Sequence, residues 1–368
     1  MKNITKFNGI SYLTDFKSYY TGKNIMLVTG KNSYELSGAK AICDGVLESE
    51  NVIQFNEFSV NPKLSDAVVG ARLAREHAVE CIIAVGGGSV LDTAKLIKAF
   101  YSSDGNELNI AVGKDKVIDP GIPVIAIPTT AGSGSEATHF AVVYVEEDKY
   151  SLAAKCLKPD GVILDGSLVT SGDSYLKVCN AFDAMAQAIE SYWAKGANDE
   201  SRVYASNAIA LGWEVLPKYI MDKCTDLDAQ KMIEAANMAG KAIDISKTTA
   251  AHAWSYAFTS NFNIPHGHAV WLTLPSIFEL HYAHSKERDD GFHEIMNELI
   301  QILGLNVMES LSDQLKAVML RTGVADSAEQ LGITRSARLV LSQKVNIQRL
   351  ENNPIQLTEQ DISHIFSI

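Results

Sequence analysis

The stretch AVGGGSVLDTAKLIKAF, residues 84–100, is the strongest local signal in the first half of this chain. Its pattern predicts a buried strand that ends at Val85, a turn of three glycines, and an amphipathic helix that begins near Ser89. Glycines let a backbone approach a phosphate closely, and the start of a helix offers free N–H groups and the positive end of the helix dipole. The same turn is also compatible with a plain tight connection, so a phosphate site needs a second signal.

The stretch PTTAGSGSEAT, residues 128–138, supplies that second signal. It follows another apolar run and combines glycines with several hydroxyl side chains. Open α/β sheets bind nucleotides where polar turns follow the carboxyl ends of neighbouring strands. The two turns together therefore predict a nucleotide site.

The chain changes its organisation near residue 167. Before this point, short runs rich in Ile and Val alternate with stretches that carry apolar residues at helical spacing; the runs are NIMLVTG, NVIQF, ECIIAVGGG, PVIAIPTT and GVILD. Strands that alternate with helices indicate a parallel, doubly wound sheet. Beyond residue 167 only helical periodicity is seen, as in CNAFDAMAQAIESYWA and DAQKMIEAANMAGKAID. We expect an α/β domain, residues 1–167, and an all-helical domain, residues 168–368.

Composition excludes several classes of protein. The net charge of the 368 residues is −12, whereas a nucleic-acid-binding face is basic. The sequence has no run of 18 apolar residues, so it predicts no membrane span. Its first residues lack the apolar core of a signal peptide. Five scattered cysteines without CxxC spacing indicate reduced thiols, so we expect a cytoplasmic protein.

Polar residues in the second half have the spacing of a metal site. Asp183 and Gln187 are four residues apart in a helical stretch, so they share one face, and His252 lies in another such stretch. Pro265 breaks that second stretch and places His266 at the start of the next helix. Carboxylate and imidazole suit Zn or Fe, but a capping Asp and satisfied core histidines explain the same pattern. Both interpretations stay open on spacing alone.

Four motifs in order, GGGSVLDTAK, PTTAGSGSEAT, DAMAQAIESYW and PHGHAV, resemble the iron-containing (group III) alcohol dehydrogenases over nearly the whole chain. The resemblance implies a Rossmann-like dinucleotide-binding domain followed by an all-α domain, with a metal in the cleft between them. Dehydroquinate synthase shares this architecture. The implied reaction is metal-dependent reduction of an aldehyde by NAD(P)H, with one divalent ion, Fe²⁺ or Zn²⁺.

The metal ligands of the family are usually one Asp and three His. Carried over, they fall on Asp183, Gln187, His252 and His266. Gln187 departs from the usual His, and its neutral amide is a poorer ligand. Two further residues are assigned to catalysis beside the metal: Tyr256, which replaces another histidine of the family, and His268. For Tyr256, simple packing on the same helical face is the alternative.

The resemblance also assigns the cofactor contacts. The first glycine-rich turn is expected to bind the pyrophosphate, and the second turn and the residues after it are expected to line the rest of the cofactor. The residues assigned in this way are Gly86, Gly87, Gly88, Ser89, Asp92, Thr129, Thr130, Ser133, Thr138 and Lys149. Gly30 stands where NAD-specific members carry Asp, and Lys31 and Ser33 follow it. Without that carboxylate, a 2′-phosphate is not repelled, so we expect NADP(H) to be preferred over NAD(H).

A closer resemblance is to the phosphonoacetaldehyde reductase branch, which reduces phosphonoacetaldehyde to 2-hydroxyethylphosphonate. His139, Lys155 and Arg349 are the candidates to meet the anionic phosphonate. The alternatives are a broad reductase of small uncharged aldehydes, a cyclase or lyase of the dehydroquinate synthase type, and a non-catalytic binder in which Gln187 marks a lost metal site. A homodimer or larger homo-oligomer is expected.

Overall fold

The apolar runs of the first half form the parallel strands of one sheet. The computed structural model describes residues 2–6, 8–146, 148–220, 224–345 and 350–367. The strands of this sheet are β1 (Lys2–Thr5), β2 (Asn24–Thr29), β3 (Asn51–Phe55), β4 (Cys81–Gly86), β5 (Val124–Pro128) and a sixth, β8 (Gly161–Leu164). All pairings are parallel, in the order β1-β8-β5-β4-β2-β3. The predicted Rossmann-like sheet is confirmed, and β1 adds an edge strand that the sequence did not indicate.

Both faces of the sheet are covered, which explains why its strands are continuous apolar runs. On β2, Ile25 and Leu27 belong to one buried cluster, whereas Met26 and Val28 belong to another. A 3₁₀ helix (Gly9–Phe16) contributes to the first cluster, and Ala94 and other residues of the helix that follows β4 contribute to the second. The helices of this part are α1 (Lys17–Tyr20), α2 (Ser33–Leu36), α3 (Ala39–Leu47), α4 (Leu64–Glu76), α5 (Gly88–Tyr101) and α6 (Glu107–Ala111).

The strand order reverses between β2 and β4, and this reversal positions the turns of interest. Thr29 at the end of β2 lies beside Val85 of β4. In such a sheet the next connection from each strand leaves on opposite sides, which opens a crevice at the carboxyl ends. Gly30 follows one of these strands and Gly87 follows the other, so the position assigned to cofactor choice and the first glycine-rich turn both lie at the carboxyl ends of neighbouring strands.

A β-hairpin follows the second turn, where the sequence analysis did not expect strands. β6 (Phe140–Val145) pairs antiparallel with β7 (Asp148–Ala153) in a separate two-stranded sheet. Only alternate residues of β6, Ala141 and Val143, are buried, so this strand lacks the continuous apolar run of a strand buried on both faces.

The described residues after Asp173 form helices and connecting segments, which confirms the all-helical second part. The helices are α7 (Ser174–Trp193), α8 (Asp199–Tyr219), α9 (Asp226–Ser246), α10 (Ala250–Phe262), α11 (His266–Trp271), α12 (Leu274–Ser285), α13 (Phe292–Leu303), α14 (Leu311–Arg321), α15 (Arg335–Gln343) and α16 (Glu359–Ile365). In the part of the chain that is described, none of the helices has the length and apolar character needed to span a membrane.

Contacts divide the chain into two compact units. The first is Met1–Gly172 with Cys224–Asn237, and the second is Asp173–Lys223 with Met238–Ile368. Segment Cys224–Asn237 joins the first unit through hydrogen bonds, since Gln230 accepts from the N–H of Gly166 (2.8 Å) and Asn237 donates to Glu136 (2.9 Å). The predicted domain ranges, 1–167 and 168–368, stay a prediction.

Candidate functional site

Three side chains of the second unit converge on one point. Oδ1 of Asp183 lies 3.2 Å from Nε2 of His252 and 3.9 Å from Nε2 of His266. One ligand atom from each residue lies within 4.8 Å of the others, the only such group among the described His, Cys, Asp and Glu residues. One carboxylate and two imidazoles, partly buried together, are a donor set that fits a divalent transition metal.

The junction of α10 and α11 delivers His266 to this point. Asn263 has a φ of 57° and ends α10, and Pro265 precedes the first residue of α11. Pro265 predicted this break in the sequence. Because the chain turns here, the histidines of two successive helices face the same carboxylate.

Gly267 allows α11 to lie directly on α7. A Cβ atom at this position would lie 1.8 Å from the carbonyl oxygen of Cys179 and 2.8 Å from the amide nitrogen of Asp183. Trp271 strengthens the contact: its Nε1 donates to the carbonyl of Phe182 (2.8 Å), and its ring stacks on that residue. The backbone of α7 beside Asp183 is thus in direct contact with the helix that begins at His266.

Glu190 is a functional candidate that the sequence analysis missed. Its carboxylate is fully buried and hydrogen bonds with Nδ1 of His252, while it accepts from Oγ1 of Thr249 and the N–H of Ala251 (both 2.8 Å). An imidazole that donates Nδ1–H to a carboxylate presents Nε2 as a ligand and becomes more basic. The available signal was a carboxylate seven residues, or two helical turns, after Asp183 in an apolar run.

The electrostatics of the cluster favour a cation. Burial by itself raises the pKa of Asp183, but the hydrogen bond from His252 and the charge of His266 bring the pKa below its ordinary value. Burial lowers the pKa of His252, but the charge of Glu190 and the hydrogen bond with Asp183 raise it above its ordinary value. Two buried carboxylates thus stabilise positive charge at this point. A protonated histidine carries such charge, and so does a bound divalent cation.

Two residues of α10 support His266. Oγ of Ser255 lies 3.4 Å from Nδ1 of His266, so Nε2 is the nitrogen that faces Asp183. The ring of Tyr256 stacks on that imidazole, with centroids 5.6 Å apart and planes 6° apart. This stacking agrees with the packing interpretation of Tyr256, while its partial exposure leaves a catalytic role as a prediction.

Gln187 and His268 differ in their relation to the cluster. Gln187 is buried and hydrogen bonds with Asp183, so it stands next to the proposed ligands. The two nitrogens of His268 already have partners, the hydroxyl of Tyr175 (2.7 Å) and the carbonyl of Ala325 (2.8 Å). This arrangement supports a structural role for His268, and its assignment to catalysis stays a prediction.

The first unit presents a site that fits a dinucleotide phosphate. Gly87 caps the 14-residue helix α5, and Gly88 is its first residue. A Cβ on Gly87 would lie 3.2 Å from Cγ2 of Thr130, and one on Gly88 would lie 2.7 Å from Oγ of Ser133. Beside them Oγ1 of Thr129 is buried with no hydrogen-bond partner among the described residues. The glycines leave the helix start without a Cβ, and the N–H of Thr129 donates to the carbonyl of Gly86 (3.0 Å), which places the second turn beside the first.

Asp92 and Thr138 bind protein groups in this structure. Asp92 is buried and accepts from Oγ of Ser135 (2.5 Å) and the N–H of Val142 (3.0 Å). Oγ1 of Thr138, also buried, donates to the carbonyl of Ser135 (3.2 Å). These contacts support a role in shaping the second turn, and direct cofactor contact stays a prediction.

The residues assigned to cofactor choice lie at the end of β2. A Cβ on Gly30 would come 2.2 Å from Oγ of Ser33. Nζ of Lys31 pairs with Glu57 at 2.8 Å, and both side chains are exposed. Glu57 brings a negative charge to this position that the sequence analysis did not consider.

The substrate candidates lie near the base of the hairpin. The carbonyl of His139 accepts from the N–H of Ala154 (3.0 Å), which brings half-buried His139 near exposed Lys155. Lys149, on β7, lies over the ring of Tyr144 at 6.0 Å. Arg349 falls outside the described residues.

Replacing Glu190 by Gln tests its hold on His252. The amide keeps the shape and an acceptor but loses the charge, so we expect metal affinity to fall about 10- to 100-fold. Competition with a chromophoric chelator, using Zn²⁺ or Fe²⁺ alone, measures this. Glu298→Gln is the matched control because Glu298 accepts from the hydroxyl of Tyr192 instead. His266→Ala, which removes one of the proposed ligands, should bind least. Unchanged affinity in the Glu190 variant would contradict the assignment.

Replacing Gly267 by Ala tests the contact between α7 and α11. The added methyl group has no room, so we expect the free energy of unfolding to fall by about 3 kcal/mol, with weaker metal binding. Gly45→Ala is the control, since no atom lies within 4 Å of its Cβ position; this helical site should gain about 0.5–1 kcal/mol. Chemical denaturation measures both, and equal stability of the two variants would refute the close-packing explanation.

Two curated proteins resemble this chain over part of their length. A probable alcohol dehydrogenase, EutG of Escherichia coli (strain K12), is 35% identical over 62% of this chain and 58% of its own length. The phosphonoacetaldehyde reductase of Streptomyces viridochromogenes is 30% identical over 60% of this chain and 58% of its own. The matches thus span less than two thirds of either relative.

A solved structure matches over the whole chain. The sulfoacetaldehyde reductase of Bifidobacterium kashiwanohense, in complex with NAD⁺, is 25% identical, with a TM-score of 0.88 over 100% of this chain and 97% of that one. The model of the iron-containing alcohol dehydrogenases matches residues 4–166, and that of the C-terminal part of the Fe-containing alcohol dehydrogenase family matches residues 177–368. The chain therefore belongs to the iron-containing alcohol dehydrogenase family.

Proposed function

We propose that this protein is a metal-dependent reductase that converts phosphonoacetaldehyde to 2-hydroxyethylphosphonate with NADPH. The observation that carries the proposal is the cluster of Asp183, His252 and His266, in which both histidines direct Nε2 at one carboxylate oxygen. A general reductase of small uncharged aldehydes is the second candidate, because the same cluster serves any carbonyl. We further propose a cytoplasmic homodimer or larger homo-oligomer, as the sequence led us to expect.

Asp183, His252 and His266 would hold the metal, with Gln187 as an optional fourth ligand. A divalent ion held by these residues would supply Lewis-acid chemistry to a carbonyl, and a reduced nicotinamide would be the source of hydride. Glu190 hydrogen bonds with Nδ1 of His252, which directs Nε2 at Asp183 and makes it the nitrogen that would bind a metal. The donor set is typical of Zn²⁺ and of Fe²⁺ alike, so metal analysis decides between them.

Tyr256 has two roles in this proposal. Its ring keeps the imidazole of His266 in place by stacking, and its side chain is partly exposed. A phenol donates a hydrogen bond well, so its hydroxyl is the candidate donor to an oxygen that gains negative charge during reduction.

An anionic substrate is supported by the names of two relatives, which are reductases of phosphonoacetaldehyde and of sulfoacetaldehyde. Both substrates are two-carbon aldehydes that carry a tetrahedral anion. In this acidic chain, the positive charge for such a group must be local. Lys155 is exposed and near His139, so this pair is the proposed anion contact, with Arg349 as the third candidate.

The substrate prediction compares an aldehyde that carries an anionic group with an uncharged short-chain aldehyde. We expect kcat/KM for phosphonoacetaldehyde to exceed that for propanal by about 100-fold, because an anion contact adds roughly 3 kcal/mol of binding. Sulfoacetaldehyde, with one negative charge fewer, should fall between them. Lys155→Met should raise KM for phosphonoacetaldehyde about 10-fold and spare propanal, since the reacting group is untouched.

The matched control for Lys155 is Lys158→Met, which removes a neighbouring lysine of the same segment. Equal efficiency of the wild type on phosphonoacetaldehyde and propanal would leave the general aldehyde reductase. A wild type that binds neither a metal nor a nicotinamide cofactor would instead favour the non-catalytic binder. Phosphate release from a sugar phosphate would favour the dehydroquinate synthase type.

Cofactor choice is the other open part of the proposal. Preference for NADPH is supported by Gly30, which places no carboxylate at the ribose, and by the adjacent Lys31. The ion pair with Glu57 opposes it by neutralising Lys31. We propose that the absence of a carboxylate at position 30 has the larger effect, because a carboxylate there would face the 2′-phosphate directly.

The corresponding prediction uses a double variant. Gly30→Asp alone collides with Oγ of Ser33, so Ser33→Ala is combined with it to make room. We expect the double variant to shift the ratio of NADPH to NADH efficiency about 10- to 100-fold towards NADH, because a carboxylate repels the 2′-phosphate. Ser33→Ala alone is the control. A wild type that uses NADH far better than NADPH would refute the preference.

A further inference from the structure

Lys95 is a fully buried lysine to which the proposed function assigns no role. It lies on α5, in the first unit, two turns after the glycine-rich start of that helix. Its Nζ contacts both the carbonyl and the hydroxyl of Ser135, the latter at 3.0 Å. It also contacts the carbonyl (3.0 Å) and the hydroxyl (3.1 Å) of Thr138 and the carbonyl of Phe140 (3.0 Å). One ammonium group is therefore surrounded by five oxygen atoms.

This surrounding resembles the coordination of a monovalent cation. A lysine ammonium is a compact point charge with three donors, and carbonyl and hydroxyl oxygens here replace its hydration shell. The three carbonyl oxygens are all directed at one nitrogen atom, so without a positive charge there their partial negative charges repel. The charge of Lys95 is thus a condition for the conformation of residues 135–140.

A second group on α5 acts on the same segment. Asp92, one turn before Lys95, accepts from Oγ of Ser135 and the N–H of Val142. Burial raises the pKa of Asp92, and Lys95 opposes this shift by its charge. The helix that starts the phosphate site therefore also holds the segment that carries Thr138 and His139.

We propose that Lys95 is a positioning residue that acts as a tethered monovalent cation, whose five-oxygen cage sets the cofactor-binding conformation of residues 135–140. The inference rests on the proposed function, since the nicotinamide cofactor is the ligand of this segment. Lys95 contacts the segment and not the reacting atoms, so its loss lowers cofactor affinity rather than removing a catalytic group.

Chemical rescue tests the proposal. In Lys95→Ala the missing atoms correspond to propylammonium, so the full-length variant is studied with and without this amine. NADPH affinity, followed by nicotinamide fluorescence, should fall at least about 10-fold in the variant. Propylammonium should restore most of it, whereas tetramethylammonium, with equal charge and no N–H donor, should not.

Two variants control for the loss of a buried lysine. Lys95→Met keeps the apolar stem and leaves no space for an amine, so it should lose affinity without rescue. Lys98→Met removes another buried lysine of α5, whose Nζ lies 3.7 Å from Asp160, and should bind NADPH as the wild type does. If Lys95→Ala folds poorly, its melting temperature becomes the measure, and propylammonium should raise it selectively.

The outcomes distinguish the role of Lys95 from the proposed reductase function. Wild-type affinity in Lys95→Ala, or no rescue of affinity or stability by propylammonium, would overturn the role of Lys95 while leaving the reductase intact. A wild type that binds neither NADPH nor NADH would overturn the proposed function and this inference with it.

Discussion

The arrangement of the second unit depends on one buried carboxylate, that of Glu190. A fully buried negative charge is tolerated only when it is hydrogen bonded and paired. Glu190 meets this condition with Thr249, the N–H of Ala251 and Nδ1 of His252. Its contacts hold the start of α10 against α7 and at the same time choose the imidazole nitrogen that faces Asp183. A site on packed helices keeps its ligand atoms at fixed distances, which a metal of defined geometry requires. The packing of these helices and the proposed metal site thus share one interaction.

The first unit solves a similar problem with the opposite charge. Loops at the carboxyl ends of parallel strands need to be open to a ligand, and open loops have few contacts of their own. Here α5 supplies the missing constraint through Asp92 and Lys95, which bind residues 135–142 from the protein side. Gly87, Gly88 and Ser133 are half-buried, and they remain the predicted contacts of a cofactor phosphate.

Much of this could be predicted from local pattern. The parallel strands are continuous apolar runs because both faces are buried, and two polar, Gly-containing turns after such strands indicate a nucleotide site. Asp183, His252 and His266 could be selected because helical spacing and Pro265 determine which residues share a face or begin a helix. The half-buried hairpin and the edge strand β1 escaped because their patterns are weak and short.

Tertiary structure alone decided how these residues act. Nothing in the sequence distinguishes Glu190 from other helical glutamates, because its partners come from α10 packing on α7. The same holds for Lys95, whose five oxygen partners come from a distant segment. His268 resembled a catalytic residue in sequence, and only packing revealed that Tyr175 and Ala325 occupy both its nitrogens. Sequence determines which residue types lie on one face of one element, because that depends on neighbours in the chain. The partner of a buried charge depends on contacts between elements, which no local pattern encodes.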